Sequence, residues 1–207
     1  MRLKKIKIAV LVSGGGTNLQ ALLDAQKNGI LQSGKIELVI SGNPTAYALQ
    51  RAAQNEIPTA VISKKEYGSM TAVEDKMTEL LDEKEIDLIV LAGYMNILSE
   101  RFTGRYPRRI INVHPSLIPS FCGEGFYGLR VHEAALQKGV KVTGATVHFV
   151  NEIPDGGEII LQKAVEVSEG DTPESLQARV MREAEWIILP RAVEQVSKEM
   201  SERNPNK

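Results

Sequence analysis

Ile6-Lys7-Ile8-Ala9-Val10-Leu11-Val12-Ser13-Gly14-Gly15-Gly16-Thr17-Asn18 decides the fold of this chain. Ile6 to Val12 is a near-continuous apolar run, as expected of a strand buried on both faces of a parallel sheet. Three glycines follow at once, and Asn18 to Lys27 then reads as an amphipathic helix. Strand, glycine turn and helix in this order are the first unit of an α/β layered domain.

Working outward, the same rhythm repeats. Ile36–Ile40 is a second strand and Ala46–Asn55 a second helix; Pro58–Ile62 is a third strand, with a helix within Ser69–Lys84. Asp87–Ala92 is another buried strand, and Arg109–Val113 a fifth. After that the pattern changes. His132–Gln137 is a helix, Val142–Val150 a strand and Gly157–Val167 another strand. Thr172 and Pro173 suit an N-cap and first helical position, and that helix runs toward Met200. Ser201–Lys207 is polar and expected to fray. The expected fold is α/β: a three-layer, mostly parallel twisted sheet of about seven strands with helices on both faces and a Rossmann-type N-terminal half. No repeat or linker divides it, so residues 1–207 read as one domain.

Glycines between a buried strand and a helix let the backbone approach a ligand, and the free N–H groups there favour an anion. Thr17 or Asn18 adds a hydroxyl or amide. A nucleoside-triphosphate loop needs a Lys-Ser/Thr pair, which is missing. The dinucleotide fingerprint needs a third glycine where Leu19 stands, and Ser41-Gly42-Asn43 supplies no acid for a ribose. The loop therefore suits a monophosphate; a plain turn without ligand is the alternative.

Asn112-Val113-His114-Pro115-Ser116 is the richest stretch for chemistry. Side chains two apart on a strand share a face, so an amide and an imidazole are aimed together, and Pro115 ends the strand. His148, in the alternating strand Ala145–Val150, reads as a structural histidine on a partly buried face. His132, early in a helix, reads as exposed or capping. Pro154-Asp155-Gly156-Gly157 alone is a favoured turn; its functional reading puts Asp155 beside His114, raising the imidazole pKa.

Composition narrows the partners. The chain has 207 residues, 43% hydrophobic and 25% charged, with a formal net charge of −1. That charge gives no general case for binding nucleic acid or an acidic membrane. The single cysteine, Cys122, permits no internal disulfide. The basic start Met1–Lys5 leads into an apolar run too short for a signal peptide, and nothing approaches transmembrane length. A cytoplasmic protein is expected, monomer or homodimer.

Ser13–Leu19, Val90–Met95, Asn112–Pro119, Gly144–Val150, Asp155–Gly157 and Ile159–Gln162, taken in order, resemble the formyltetrahydrofolate-using transferases and hydrolases. Within that group the short length is similar to the phosphoribosylglycinamide formyltransferases of purine biosynthesis. The resemblance implies formyl transfer from 10-formyltetrahydrofolate, as co-substrate, to glycinamide ribonucleotide, with neither metal nor nicotinamide. It implies a ribonucleotide phosphate-binding half (1–100) and a catalytic and folate-binding half (101–207). It places catalysis on Asn112, His114 and Asp155, and the ribonucleotide on Gly15, Gly16, Thr17, Asn18, Arg182 and Glu185. It places folate on Met70, Met95, Asn96, Ile97, Leu98, Asn112, Asn151, Glu152, Ile153, Pro154 and Asp155.

Several positions depart from the family pattern. Asn96 and Met70 stand where arginines are frequent, Glu158 where a proline is common, and Glu185-Trp186 where Glu-His is frequent. A one-residue offset in that helix makes Glu183 a rival to Glu185. Phe121–Gly128 is longer than the corresponding loop of shorter relatives. A formyltetrahydrofolate hydrolase and a non-catalytic nucleotide-binding module are the alternatives.

Overall fold

The structure is a computed structural model describing residues 4–203. Its elements are β1 (Ile6–Val12), α1 (Thr17–Lys27), β2 (Gly34–Ser41), α2 (Tyr47–Gln54), β3 (Thr59–Val61), α3 (Lys64–Tyr67) and α4 (Met70–Glu83). These are followed by β4 (Leu88–Leu91), α5 (Glu100–Arg105), β5 (Ile110–His114), α6 (Leu129–Lys138), β6 (Val142–Phe149) and β7 (Ile159–Glu166). The chain ends in α7 (Pro173–Val180), a π-helical turn (Met181–Glu185) and α8 (Trp186–Arg203).

The seven strands form one sheet in the order β3-β2-β1-β4-β5-β6-β7. The pairs from β3 to β5 are parallel, and β5–β6 and β6–β7 are antiparallel. Period-two alternation divides the core. In β1, Ile8, Val10 and Val12 enter the cluster under α1, α6, α7 and α8. Ala9 and Leu11 enter the opposite cluster with Val73, Met77 and Leu81 of α4 and Phe102 of α5. Fully buried leucines such as Leu19 and Leu22 contribute about 1.5–3 kcal/mol each by leaving water. Helices on both faces are what the apolar runs require.

Strand order reverses between β1 and β4, the place where open α/β sheets bind ligands. The loops after both strands meet there: Ser13 Oγ accepts the Met95 N–H at 3.0 Å. The Thr172 hydroxyl caps α7 by accepting the Ser175 N–H, with Pro173 at the first position, as expected.

Three expectations need correction. α5 and α3 have no counterpart among the elements the sequence predicts; each is short and begins at a serine cap, Ser99 and Ser63. The last helix is not continuous, because the π-helical turn interrupts it. Ser201 is buried rather than frayed, its hydroxyl donating to the Lys4 carbonyl at 3.2 Å. Residues 204–207 and 1–3 lie outside the described residues.

Candidate active site

In β5, Ile111 and Val113 point into the α1/α6/α8 core and Ile110 into the other. Asn112 and His114 share the parity of Ile110, so both face that second side, at the end of the strand next to β4. β6 runs antiparallel and brings His148 opposite Asn112 and Thr146 opposite His114.

The loop from Val150 to Glu158 leaves β6 at the far end, where Phe149 pairs with Ile111. It doubles back across the Asn112/His114 face. Gly157 is required for this, because a Cβ there would stand 1.8 Å from the Phe149 carbonyl oxygen. Asp155 adopts φ 56°, a left-handed conformation that Asp and Asn tolerate better than most residues. The result is that Asp155 Oδ2 lies 3.3 Å from His114 Nδ1, and Oδ1 lies 3.4 Å from His148 Nε2. The Gly123 N–H also donates to Oδ2 at 2.9 Å.

The imidazoles are fixed on their other sides. His114 Nε2 lies 2.8 Å from the Phe121 carbonyl and His148 Nδ1 2.8 Å from the Phe149 carbonyl. A carbonyl only accepts, so His148 Nδ1 carries hydrogen. Its Nε2 faces both Asn112 Nδ2, at 3.3 Å, and Asp155 Oδ1, at 3.4 Å. Asn112 Nδ2 thus points toward His148, and its second N–H has no acceptor among the described residues. His114 has an acceptor at each nitrogen, and only the imidazolium can donate to both.

Burial works against that charge. His114 is 4% exposed. Burial lowers its pKa below the ordinary imidazole value, outweighing Asp155 and the Phe121 carbonyl, which raise it. The expectation of a raised His114 pKa is thus corrected: desolvation exceeds the attraction of the carboxylate. Burial alone would raise the pKa of Asp155, but His148, the charge of His114 and the Gly123 N–H together lower it. An ionised carboxylate therefore faces an imidazole that loses its proton easily.

At the switch point, Gly16 adopts φ 72° and starts α1. A Cβ on Gly14 or Gly15 would meet no atom within 4 Å, so this side of the loop is open. Beneath it, Asn18 Nδ2 donates to Glu185 Oε2 at 2.7 Å. Glu185 is buried, which raises its pKa, with the Asn18 bond opposing. A surface groove of about 540 Å³ is lined by Thr17, Gln20, Arg51 and Trp186, and another of about 630 Å³ by Asp75, Glu79 and Arg101; neither contains Asn112, His114 or Asp155.

The formyl transferase family pattern matches residues 6–193. The chain belongs to the formyl transferase family. It is 45% identical over 184 residues to the phosphoribosylglycinamide formyltransferase of Haemophilus influenzae, covering 89% of this chain and 84% of that protein. It is 45% identical over 193 residues to the trifunctional purine biosynthetic protein adenosine-3 of Gallus gallus, covering 93% of this chain but only 18% of that longer protein. A solved glycinamide ribonucleotide transformylase 1 from Symbiobacterium toebii superposes with a TM-score of 0.87 at 42% identity, covering 94% of this chain and 89% of that one.

Within this formyl transferase the structure gathers Asn112, His114 and Asp155 at the end of β5, and places Gly15, Gly16, Thr17 and Asn18 after β1, with β4 between the two strands. Glu185 reaches this loop from the π-helical turn. Glu183 instead pairs with Arg182 at 2.9 Å on the surface. Of the expected folate residues, Met95, Ile97 and Ile153 are well exposed, as apolar contacts for an aromatic ligand require. Leu98 is core and Met70 packs against it. The Asn96 amide stands over Gly42, 3.8 Å from where a Cβ there would lie. Asn151 Oδ1 accepts the Ile153 N–H, shaping the turn that carries Glu152 and Pro154.

Two histidine readings are corrected. His148 is 2% exposed and belongs to the Asn112–Asp155 network; its registry with Asn112 is set by strand pairing and leaves no mark in a sequence. His132 is neither exposed nor a cap. It is wholly buried, with both ring nitrogens unpartnered among the described residues, and burial chiefly lowers its pKa to about 4. Cys122 donates to the Pro119 carbonyl, and burial together with Asp155 raises its thiol pKa, opposite to what a nucleophile needs. Among the described residues no group of three or more His, Cys, Asp or Glu could hold a metal ion, and no helix is long and apolar enough to cross a membrane.

Proposed function

We propose that the chain transfers a formyl group to the amine of glycinamide ribonucleotide, a step of purine biosynthesis. The observation that carries this is the placement of an anion-suited glycine loop after β1 and of the Asn112–His114–Asp155 cluster at the end of β5, on either side of β4 in one sheet, in a chain of this family. 10-Formyltetrahydrofolate supplies the formyl group. In this reading residues 1–100 hold the ribonucleotide phosphate, and residues 101–207 supply the catalytic groups and the folate contacts of the Asn151–Asp155 loop. The reaction takes place in the cytoplasm.

The free Asn112 N–H and protonated His114 stabilise negative charge developing on the formyl oxygen. A single such donor contributes about 3–4 kcal/mol. To act, His114 turns from the Phe121 carbonyl or shares its proton with the ligand. Asp155 keeps the imidazolium accessible against burial and takes part in moving the proton from attacking to departing nitrogen, through water. Glu185 with Asn18 supports the ribose side of the ribonucleotide. No serine or cysteine is acylated, in keeping with the raised Cys122 thiol pKa.

The test is a steady-state assay with 10-formyltetrahydrofolate, with and without glycinamide ribonucleotide. Formylated ribonucleotide formed only when both are present is expected. Formate release independent of the ribonucleotide would instead identify a hydrolase, and ribonucleotide binding without turnover a non-catalytic module.

A further inference from the structure

α2 packs under the glycine loop, and its contacts determine which way the loop's peptides face. The Gly14 carbonyl accepts the Ala48 N–H at 3.1 Å. The Gly15 carbonyl accepts the Arg51 Nε–H at 2.8 Å. In a planar trans peptide the C=O and the following N–H point in opposite directions. Two consecutive carbonyls drawn toward α2 therefore turn two consecutive N–H groups, of Gly15 and Gly16, away from it. Among the described residues neither N–H has an acceptor in the chain. The α2 side of the loop is closed, since a Cβ on Gly16 would lie 2.6 Å from the Ala48 Cβ. Adjacent unpaired N–H groups facing open space make an anion-binding concavity.

We propose that Arg51 is a positioning residue for the ribonucleotide phosphate, holding the Gly15 carbonyl so that the Gly16 N–H faces the phosphate oxygens. This rests on the loop being the phosphate site of the proposed reaction. Arg51 is itself held in place. Its Nη1 donates to Gln20 Oε1 at 2.9 Å, and its guanidinium lies 4.9 Å from the Tyr47 ring centroid. Three fixed relations, to a carbonyl, an amide oxygen and an aromatic face, suit a planar guanidinium and not a lysine ammonium. The bond to Gly15 is charge-assisted, and its charge lies under the loop, where it also attracts an anion. Ala48 contributes through its backbone, so Arg51 is the side chain whose removal would release the loop.

The test uses the full chain with Arg51→Met and Arg51→Lys. Kinetics are measured with both substrates, inorganic phosphate is used as inhibitor, and the Gly15 and Gly16 amide signals are followed by NMR during phosphate titration. For Arg51→Met, KM for the ribonucleotide and Ki for phosphate are expected to rise together, roughly tenfold or more. The kcat and the KM for the formyl donor are expected to stay within about twofold. Arg51→Lys keeps the charge but not the geometry; it is expected to lie between, and it carries the test if the methionine variant does not fold. A folded variant whose ribonucleotide KM and phosphate Ki are unchanged overturns the proposal. So does a loss confined to kcat, or a wild-type chain whose Gly15 and Gly16 amides ignore phosphate. A chain that transfers no formyl group, yet whose glycine amides respond to phosphate and lose that response in Arg51→Met, would refute the reaction and leave the role of Arg51 standing.

Discussion

Asp155→Asn isolates the charge of the cluster with little change in shape. Asparagine tolerates the left-handed backbone at this position, and its Oδ1 can still accept the Gly123 N–H. What is lost is the attraction between a carboxylate and His114 Nδ1 at 3.3 Å. At an effective dielectric of about 20, unit charges at that separation interact by about 5 kcal/mol. This is an upper bound on the catalytic loss, because the imidazolium also keeps its hydrogen bond to the Phe121 carbonyl. Burial already holds the His114 pKa below its ordinary value with Asp155 present; without the carboxylate, burial acts unopposed by it and the pKa falls further. At neutral pH the charged donor becomes scarcer, and kcat is expected to fall by about a hundredfold or more, equivalent to about 3 kcal/mol. KM for both substrates is expected to stay within about threefold, since the charge acts on the transition state. The assay is kcat and KM from pH 5.5 to 9, with ¹⁵N chemical shifts of His114 in the free enzyme. A kcat within tenfold of wild type, or a His114 titration that moves upward, refutes the reasoning.

His114→Ala removes the donor itself, and kcat is expected to fall by about a hundredfold or more with modest change in KM; wild-type kcat would sink its assignment. His132 bears on stability rather than rate. Its folded pKa, about 4, lies below the unfolded value of 6.5. The unfolded chain therefore binds more protons between those values, and stability falls as pH drops from about 6.5 to 4. His132→Leu is expected to flatten that part of the urea-midpoint profile, and parallel wild-type and variant profiles would contradict it. Asp171 accepts from both Arg179 nitrogens, at 2.5 and 2.6 Å, and these bonds chiefly hold its pKa well below 3.8. Its contribution is present above about pH 4 and is lost as pH falls through the folded value. Asp171→Asn should thus be less stable than wild type at pH 7, with the gap closing in acid; a gap that persists below pH 3 unchanged would count against this.

The fold was legible because its signals are local and repeated. β1 and β4 are apolar on both faces, so they read as central parallel strands, and the glycines after β1 could only be a tight strand-to-helix turn. α5 escaped notice because six residues leave too short a stretch for a helical period, although Ser99 marks its start. The break at Met181–Glu185 has no local signal in the sequence, because Met-Arg-Glu-Ala-Glu contains no residue that breaks a helix. A π-helical turn accommodates one extra residue in a helix without shifting the residues beyond it onto another face. That is how Glu185 stays inside against Asn18 while Glu183 turns out to Arg182.

The site was legible in proportion to how much of it lies on one strand. Asn112 and His114 are two residues apart on β5, and strand alternation alone puts them on one face. Asp155 and His148 come from elsewhere, and what joins them is the return of the Val150–Glu158 loop over the sheet, made possible by Gly157 passing against the Phe149 carbonyl. Alone, Pro-Asp-Gly-Gly is a turn; only packing makes it a carboxylate arm. The electrostatic sign also escaped sequence reasoning. A carboxylate beside an imidazole argues for a raised pKa, but His114 is also buried at the strand end. Desolvation then exceeds the attraction, so the proton on His114 is held loosely. In the proposed role Asp155 therefore offsets part of the burial, which is why removal of its charge is expected to cost most of the protonated His114.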